Sequence, residues 1–283
     1  MRYASVFRPG LFAGQTILVT GGGTGIGRAI AHELASLGAH VVLAGRKLEP
    51  LERVKQELVA AGGGASAYTC NIREEDEVRS LVASALEERG ALHGLVNNAG
   101  GQFVSPAEEI SKKGWHAVVE TNLTGTFLVS REVFKAAMER DGGAIVNIVS
   151  EMWRGFPGMA HSGAARAGVV NLTQTLAVEW ARAGVRVNAV APGLIRSSGL
   201  DKYGEAMQPF IEEVRKDIPA QRMGTESEVA AGVTYLLSPA AAYVSGETLR
   251  IDGAGSLWRK TWEIEPHERL PPFDAFVDDA PSA

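Results

Sequence analysis

Short runs of apolar and β-branched residues alternate with longer amphipathic stretches along most of the chain. The runs have the length and composition of strands, and the stretches between them have helical spacing. The predicted strands are TILVT (Thr16–Thr20), HVVLAG (His40–Gly45), ASAYTC (Ala65–Cys70), GLVNN (Gly94–Asn98), AIVNIV (Ala144–Val149), VRVNAVAP (Val185–Pro192) and TLRID (Thr248–Asp252). Predicted helices include GRAIAHELASLG, LEPLERVKQELVAAG and EEDEVRSLVASALEERG.

Strands that are apolar throughout and separated by helices indicate a parallel sheet covered on both faces. We therefore predict an α/β fold, a single Rossmann-like doubly wound sheet of about seven strands, in one domain over residues 1–283. Residues 194–226 break the alternation and are predicted to form a small substrate lid. Residues 254–283, rich in proline and acidic groups, are predicted to form a C-terminal arm on this subunit or a neighbour.

Composition excludes several classes of protein. The net charge of −5 provides no basic field for nucleic acid or an anionic membrane. Cys70 is the only cysteine and the six histidines lack ligand spacing, so we predict neither disulfides nor a metal site. The N-terminus has no apolar signal core and no stretch is long enough for a membrane span. We expect a cytoplasmic protein.

The sequence TGGGTGIG (Thr20–Gly27) follows the first predicted strand and opens a helix. Gly21, Gly25 and Gly27 would let the backbone turn tightly and approach a pyrophosphate at the positive end of that helix. A glycine-rich turn without a ligand is the alternative, but the strand–helix context favours a dinucleotide site. The predicted cofactor contacts of this loop are Gly21, Gly23, Thr24, Gly25, Ile26 and Gly27.

The end of the second predicted strand distinguishes NADP from NAD. An acidic residue there would bind the ribose 2′-hydroxyl of NAD, whereas this chain has Arg46 and Lys47. A guanidinium pairs with a 2′-phosphate through charge-assisted hydrogen bonds, so NADP(H) is the predicted cofactor. The alternative is that Arg46 is only a solvated loop charge.

Four ordered motifs carry a family resemblance: TGGGTGIG, NNAG (Asn97–Gly100), TNLTG (Thr121–Gly125) and VNAVAPGLI (Val187–Ile195). Together they resemble the short-chain dehydrogenase/reductase family, and GFPGMAHSGAARAGVV in particular is similar to peroxisomal-type trans-2-enoyl-CoA reductases, cousins of 2,4-dienoyl-CoA reductases. The resemblance implies an NADP(H)-binding Rossmann fold, usually a homotetramer. It also implies further cofactor contacts at Asn71, Ile72, Asn98, Ala99, Gly100, Arg166, Pro192, Gly193 and Ile195.

Three of the four residues that most members of that family use for carbonyl reduction are exchanged here. The family's Tyr and Lys, four positions apart on one helix, correspond to Ser162 and Arg166, and its Ser corresponds to Val149, while its helix Asn is kept as Asn122. Carbonyl reduction leaves an alkoxide that needs an acid of matched pKa. Neither a serine hydroxyl nor a guanidinium is such an acid.

Reduction of an enoyl thioester needs hydrogen-bond donors at the enolate oxygen instead of a phenol. Gln102, after NNAGG, is the leading predicted donor, and Ser162 is the second. Arg166 is predicted to replace the lysine at the nicotinamide ribose and to add positive potential, with Asn122 in a supporting role. The alternatives are a loop amide for Gln102, a packing residue for Ser162 and a structural role for Arg166.

Glu151, Trp153 and Phe156 are predicted to line the substrate pocket of an NADPH-dependent trans-2-enoyl thioester reductase. A carboxylate at position 151 would repel an enolate unless it is protonated. Two other functions stay open: a 3-oxoacyl or other carbonyl reductase with Glu151 or His161 as its acid, and a catalytically silent NADP-binding protein. Packing is the simpler interpretation of His161, which lies one position off the face of Ser162 and Arg166.

Overall fold

A seven-stranded parallel sheet organises the described part of the chain, residues 2–197, 208–258 and 262–277 of this computed structural model. The strands are β1 (Arg2–Tyr3), β2 (Thr16–Thr20), β3 (His40–Gly45), β4 (Gly64–Thr69), β5 (Gly94–Asn97), β6 (Gly143–Ile148), β7 (Val185–Pro192), β8 (Ile195–Arg196), β9 (Gly224–Thr225), β10 (Thr248–Ile251) and β11 (Phe276–Val277). The sheet has the order β10-β7-β6-β5-β2-β3-β4. All seven predicted strands are therefore confirmed, with ends that differ by no more than one residue.

Helices cover both faces of this sheet. They are α1 (Gly25–Ser36), α2 (Leu48–Ala60), α3 (Glu75–Arg89), α4 (Lys112–Val119), α5 (Gly125–Val133), α6 (Glu139–Asp141), α7 (Ala160–Glu179), α8 (Gln208–Lys216) and α9 (Glu226–Leu237). Two π-helical turns, Glu120–Thr124 and Phe134–Met138, flank α5. The three helices predicted from the sequence correspond to α1, α2 and α3.

Alternation along the strands divides the core into two layers. Ile17 and Val19 of β2 pack into one cluster with α1, α2 and α9, whereas Leu18 packs into the other with α3, α5 and α7. Successive side chains of a strand point to opposite faces, so an apolar strand needs helices on both sides. The doubly wound fold is confirmed.

The chain reverses its direction of travel across the sheet at β2 and β5. It proceeds outward through β2, β3 and β4, then crosses to β5 and proceeds through β6 and β7 to β10. Such a reversal opens a crevice at the carboxyl ends of the strands, where ligands bind in open α/β sheets. The loop after β2 and the loop after β5 border this crevice.

The segments predicted as lid and arm are partly described. In 194–226, β8 pairs in parallel with β9, and α8 comes between these two strands along the chain. Residues 198–207 lie outside the described part. In the arm, β11 pairs antiparallel with β1. The Arg222 guanidinium donates to the carbonyls of Leu270 and Pro271. The described part of the arm contacts residues of its own chain. The roles of 254–283 as an arm and of 194–226 as a lid stay predictions.

Candidate active site

The glycine-rich loop connects β2 to α1 through two left-handed glycines. Gly21 and Gly25 have φ of +67° and +58°, which side chains rarely adopt. A Cβ on Gly27 would lie 2.2 Å from the carbonyl oxygen of Gly21, so only glycine allows this close approach. Thr24, at the N-cap of α1, makes no side-chain capping bond within the described part of the chain. The amide groups of the first turn can therefore bind a phosphate.

The ends of β2 and β5 are joined by side chains. Thr20 Oγ1 accepts the backbone amides of Asn98 and Ala99, both at 3.0 Å. Asn98 Nδ2 donates to the carbonyl oxygens of Thr20 and Gly21, at 3.0 and 3.2 Å. The predicted cofactor residues Asn98, Ala99 and Gly21 therefore border one crevice. Sequence reasoning missed Thr20, although it is the first letter of the glycine motif.

Arg46 and Asn71 follow the neighbouring strands β3 and β4, whose ends are paired at Gly45 and Thr69. Arg46 is exposed. Ile72 is buried against Gly125, where a Cβ would lie 2.7 Å from the Ile72 side chain. A cavity of about 530 Å³ lies beside the glycine-rich loop. Its lining comprises Gly23, Thr24, Gly25, Arg28, Arg53, Glu57, Arg196, Ser197 and Glu226. The loop, the uncapped first turn and this cavity fit a dinucleotide.

Ser162 and Arg166 share a buried face in the first turns of α7. The Ser162 hydroxyl donates to Gln102 Oε1 at 2.7 Å. Gln102 itself is exposed at the edge of the crevice. Because the hydroxyl hydrogen is used for Gln102, Ser162 fixes which way the amide faces and leaves the Nε2 hydrogens as the donors of that side chain. Two residues 60 positions apart in the sequence are thus brought together.

Arg166 is a buried cation beneath the crevice. Its Nη1 donates to the carbonyl oxygen of Ile148 at 2.5 Å, and a Cβ on Gly100 would lie 2.5 Å from its Nη2. Burial lowers the pKa of Arg166 to about 10, so the guanidinium stays charged at neutral pH. Arg166 Nε is buried and has no partner within the described part of the chain. A nucleotide ribose or a water could supply that partner.

Asn122 lies in the π-helical turn before α5 and binds the loop that carries Gln102. Its Oδ1 accepts the Gly101 amide at 2.9 Å, and its Nδ2 donates to the Gly101 carbonyl at 3.0 Å. Such turns are frequent at functional sites. Asn122 therefore holds the backbone between Gly100 and Gln102.

Val149, the position of the family serine, belongs to the apolar core. It is 3% exposed and packs with Val169, Ala189 and Ala191. The neighbouring Ser150 has a buried Oγ with no partner in the described part of the chain. This adjacent serine was not considered from the sequence.

The predicted pocket residues follow β6. Glu151 is half-buried and its amide donates to the carbonyl of Pro192, the last residue of β7, at 3.2 Å. Trp153 lies under the guanidinium of Arg250, 4.1 Å from ring centroid to Cζ. Phe156 packs on Gly163 of α7. Beyond Pro192, Gly193 packs on Asp252, and Ile195 is buried.

His161 is fully buried and packs against a residue that sequence reasoning missed, Phe103. The two rings are edge-to-face with centroids 4.4 Å apart. His161 Nδ1 accepts the Ser162 amide at 2.8 Å, so a neutral ring carries its proton on Nε2. Phe103 directly follows Gln102. A large apolar side chain next to a predicted site residue was the feature of the sequence that could have indicated it.

The described residues contain neither a membrane-spanning helix nor a metal-binding cluster. No described helix is both long and apolar enough to cross a bilayer. No cluster of His, Cys, Asp and Glu side chains that could hold a metal occurs in residues 2–197, 208–258 and 262–277.

The fold and the crevice are those of a dinucleotide-binding protein, and comparisons with known proteins give the family. Residues 21–255 match a family model described as enoyl-(acyl carrier protein) reductase. The chain is 37% identical to mouse peroxisomal 2,4-dienoyl-CoA reductase [(3E)-enoyl-CoA-producing] over 280 residues, 97% of this chain and 93% of that protein. The chain belongs to the short-chain dehydrogenase/reductase family, as the motifs predicted.

Other relatives have other activities in their names. A 3-oxoacyl-[acyl-carrier-protein] reductase of Synechocystis is 38% identical, over 84% of this chain and 96% of that protein. A solved structure of the citronellol catabolism dehydrogenase of Pseudomonas aeruginosa is 58% identical, with a TM-score of 0.82, and the alignment covers 90% of this chain and 100% of that one. Family membership therefore leaves the substrate open.

Proposed function

We propose that this protein reduces the C=C bond of a trans-2-enoyl thioester, such as an enoyl-CoA, with NADPH. The observation that carries the proposal is the contact between Ser162 and Gln102. At the position where most of the family has an acidic phenol, the hydroxyl of Ser162 instead orients an amide at the crevice. This arrangement suits a delocalised anion and offers no acid of matched pKa to an alkoxide.

The chemistry follows from the residues around the crevice. A bound reduced nicotinamide supplies hydride to the β-carbon, and negative charge develops on the thioester oxygen. Gln102 donates a hydrogen bond to that oxygen from Nε2, while Ser162 and the pair formed by Asn122 and Gly101 hold the amide in place. Arg166 binds the ribose and adds positive potential. Each donor at such an oxygen lowers the barrier by about 2.7–4 kcal/mol.

NADPH is the proposed cofactor because Arg46 follows β3 where an NAD enzyme has a carboxylate. Arg46 forms no salt bridge with another described residue, so its exposed guanidinium can pair with a 2′-phosphate without breaking one. The other proposed contacts are those predicted in the glycine-rich loop and at the ends of β4, β5 and β7.

The likeness to the citronellol catabolism dehydrogenase favours a second candidate, a dehydrogenase of acyclic terpenoid alcohols. It would need an acid–base group in place of the family tyrosine. Within the first proposal, the same likeness favours branched acyl chains as substrates. A thioester of a 3-methyl-2-enoic acid therefore belongs beside crotonyl thioester in any test.

One assay separates the candidates. NADPH oxidation is measured with crotonyl, 3-methylcrotonyl and acetoacetyl thioesters, and NADP⁺ reduction is measured with citronellol. The proposal predicts turnover of the enoyl thioesters alone. Turnover of acetoacetyl thioester alone would identify a carbonyl reductase, turnover of citronellol alone a dehydrogenase, and NADPH binding without any turnover a silent protein.

We also propose a cytoplasmic homotetramer. Small residues along α7, in SGAARAGVVNLTQTLA, suit close packing of helices between subunits. Light scattering of the purified protein is expected to give four times the mass of one chain, and a monomer would contradict the assembly without affecting the proposed reaction.

A further inference from the structure

The proposed reaction leaves one task without a residue, the delivery of a proton to the α-carbon. After hydride reaches the β-carbon, the enolate must gain this proton before the saturated thioester can leave. Most polar groups of the crevice are already engaged. The Ser162 hydroxyl donates to Gln102, and the Asn122 amide is bound to Gly101. The Arg166 guanidinium donates to the Ile148 carbonyl and is assigned to the nicotinamide ribose.

His161 and Glu151 are the remaining acids of the crevice predicted from the sequence. A donor must be recharged with a proton from water in every turnover. His161 is 0% exposed and its ring is enclosed against Phe103, whereas Glu151 is only half-buried and retains access to solvent. The requirement for recharging therefore favours Glu151.

The backbone holds Glu151 at the carboxyl ends of the central strands. It follows β6 by three positions, and its amide is bound to the carbonyl of Pro192 at the end of β7. Its Oε1 is buried without a partner in the described part of the chain, and so is Oγ of the adjacent Ser150. Buried polar atoms are normally paired, so the unpaired carboxyl oxygen of Glu151 indicates a place for a ligand.

The surroundings of Glu151 raise its pKa above the ordinary value, mainly through burial. Burial raises the pKa of the carboxyl, and the negative charge of Asp252 beyond β10 raises it further. Arg154 in the same loop and Arg250 in β10 act in the opposite direction. The net direction is upward. A protonated Glu151 also removes the repulsion that a carboxylate would exert on an enolate.

We propose that the carboxylic acid of Glu151 donates the proton to the α-carbon of the enolate, an inference that rests on the proposed function. Hydride forms the new bond at the β-carbon, and the electron pair of the alkene moves into the enolate. That pair then forms a bond to the Glu151 proton at the α-carbon, while the O–H bond of the carboxyl breaks. Glu151 is left as a carboxylate and regains a proton from water.

The test is reduction of crotonyl thioester by NADPH in D₂O, followed by analysis of deuterium at the α-carbon. The wild-type protein is expected to place deuterium on one face. E151Q, which keeps the size of the side chain, is expected to lose about 100-fold in kcat, the lower range for a general acid, and to label both faces. E151D keeps a carboxylic acid and is expected to recover part of the kcat and part of the preference for one face. E87Q, at an exposed position of α3, is the matched control.

Two further readouts separate proton donation from a structural effect. NADPH affinity is expected to be unchanged in E151Q. The wild-type kcat is expected to fall as the pH rises through the elevated pKa of Glu151, and E151Q is expected to lack this fall. If E151Q labels a single face, the inference is overturned while the proposed function stands. If the wild-type protein does not reduce crotonyl thioester, both fail together.

Discussion

The exchange of two side chains on α7 changes what the crevice can do. A Tyr and Lys pair delivers a proton to an alkoxide, whereas Ser162 and Arg166 provide an oriented amide and a fixed positive charge. The Ser162 hydroxyl cannot donate to Gln102 and to a substrate oxygen at the same time. Ser162 therefore acts through Gln102 in the proposed mechanism, which differs from the direct role predicted for it from the sequence.

Replacement of Gln102 by alanine tests the proposed donor. Q102A is expected to lower kcat for crotonyl thioester by about 10²–10³-fold, the usual loss for one donor of an oxyanion hole. NADPH affinity, measured by fluorescence titration, is expected to stay the same. The exposed Gln56 on α2 gives the matched control, Q56A. Unchanged turnover of Q102A would remove Gln102 from the mechanism.

The choice of cofactor is also decided by one residue. R46D is expected to weaken NADPH binding by at least about tenfold, because a carboxylate would face the 2′-phosphate, and to affect NADH much less. Calorimetric titration of both cofactors measures the difference. R182D, at an exposed site in the short turn after α7, is the control. Equal losses for both cofactors would refute the contact with the 2′-phosphate.

Among the elements, the connection from β2 to α1 is the most constrained by packing. A Cβ on Gly27 would lie 2.2 Å from the Gly21 carbonyl oxygen and 2.5 Å from Asn98 Nδ2. Alanine normally stabilises a helix by about 1 kcal/mol relative to glycine. A loss of stability in G27A is therefore attributed to displacement of the Gly21 carbonyl and the Asn98 amide.

G27A is expected to lower the free energy of unfolding by about 1–3 kcal/mol, the usual cost of overpacking, and to weaken NADPH binding. Urea denaturation and fluorescence titration measure the two effects. A variant that is more stable than the wild-type protein and binds NADPH normally would show that the loop tolerates a side chain here.

The elements were more predictable from the sequence than their contacts. Apolar runs predicted the five inner strands because these are buried on both faces, whereas the edge strands β4 and β10 are only partly buried. The glycine motif and Arg46 could be found because each follows a predicted strand, and Asn122 because it belongs to a motif of the family that the chain resembles. The contact of Ser162 with Gln102 and the π-helical turn at Asn122 could not, because they depend on how distant segments pack.

For the whole molecule, the C-terminal arm is joined to the sheet domain through Arg222 and Glu228. Arg222 donates to both carboxylate oxygens of Glu228 and to the arm carbonyls of Leu270 and Pro271. Burial alone would raise the pKa of Glu228, but the hydrogen bonds from Arg222 and from the amides of Thr225 and Phe273 lower it. Nothing in the acidic, proline-rich sequence of the arm specified this partner.

This ion pair predicts a dependence of stability on pH. Since folding lowers the pKa of Glu228 below its ordinary value of 4.5, its contribution is present above that pH and is lost as the pH falls through the lower, folded value. E228Q is expected to lose about 1–3 kcal/mol at pH 7 and progressively less at lower pH. Denaturation across pH measures this, with E213Q of an exposed pair as the control. A loss that is independent of pH would contradict the prediction.

The central claim is that hydride goes to an activated alkene and not to a carbonyl. The most direct measurement is reduction of crotonyl thioester with NADPH deuterated at the transferable position of C4, with the product analysed by NMR. The account predicts one deuterium at the β-carbon of the saturated thioester. Deuterium found instead at the carbonyl carbon of a hydroxy product from acetoacetyl thioester, with crotonyl thioester unchanged, would contradict it.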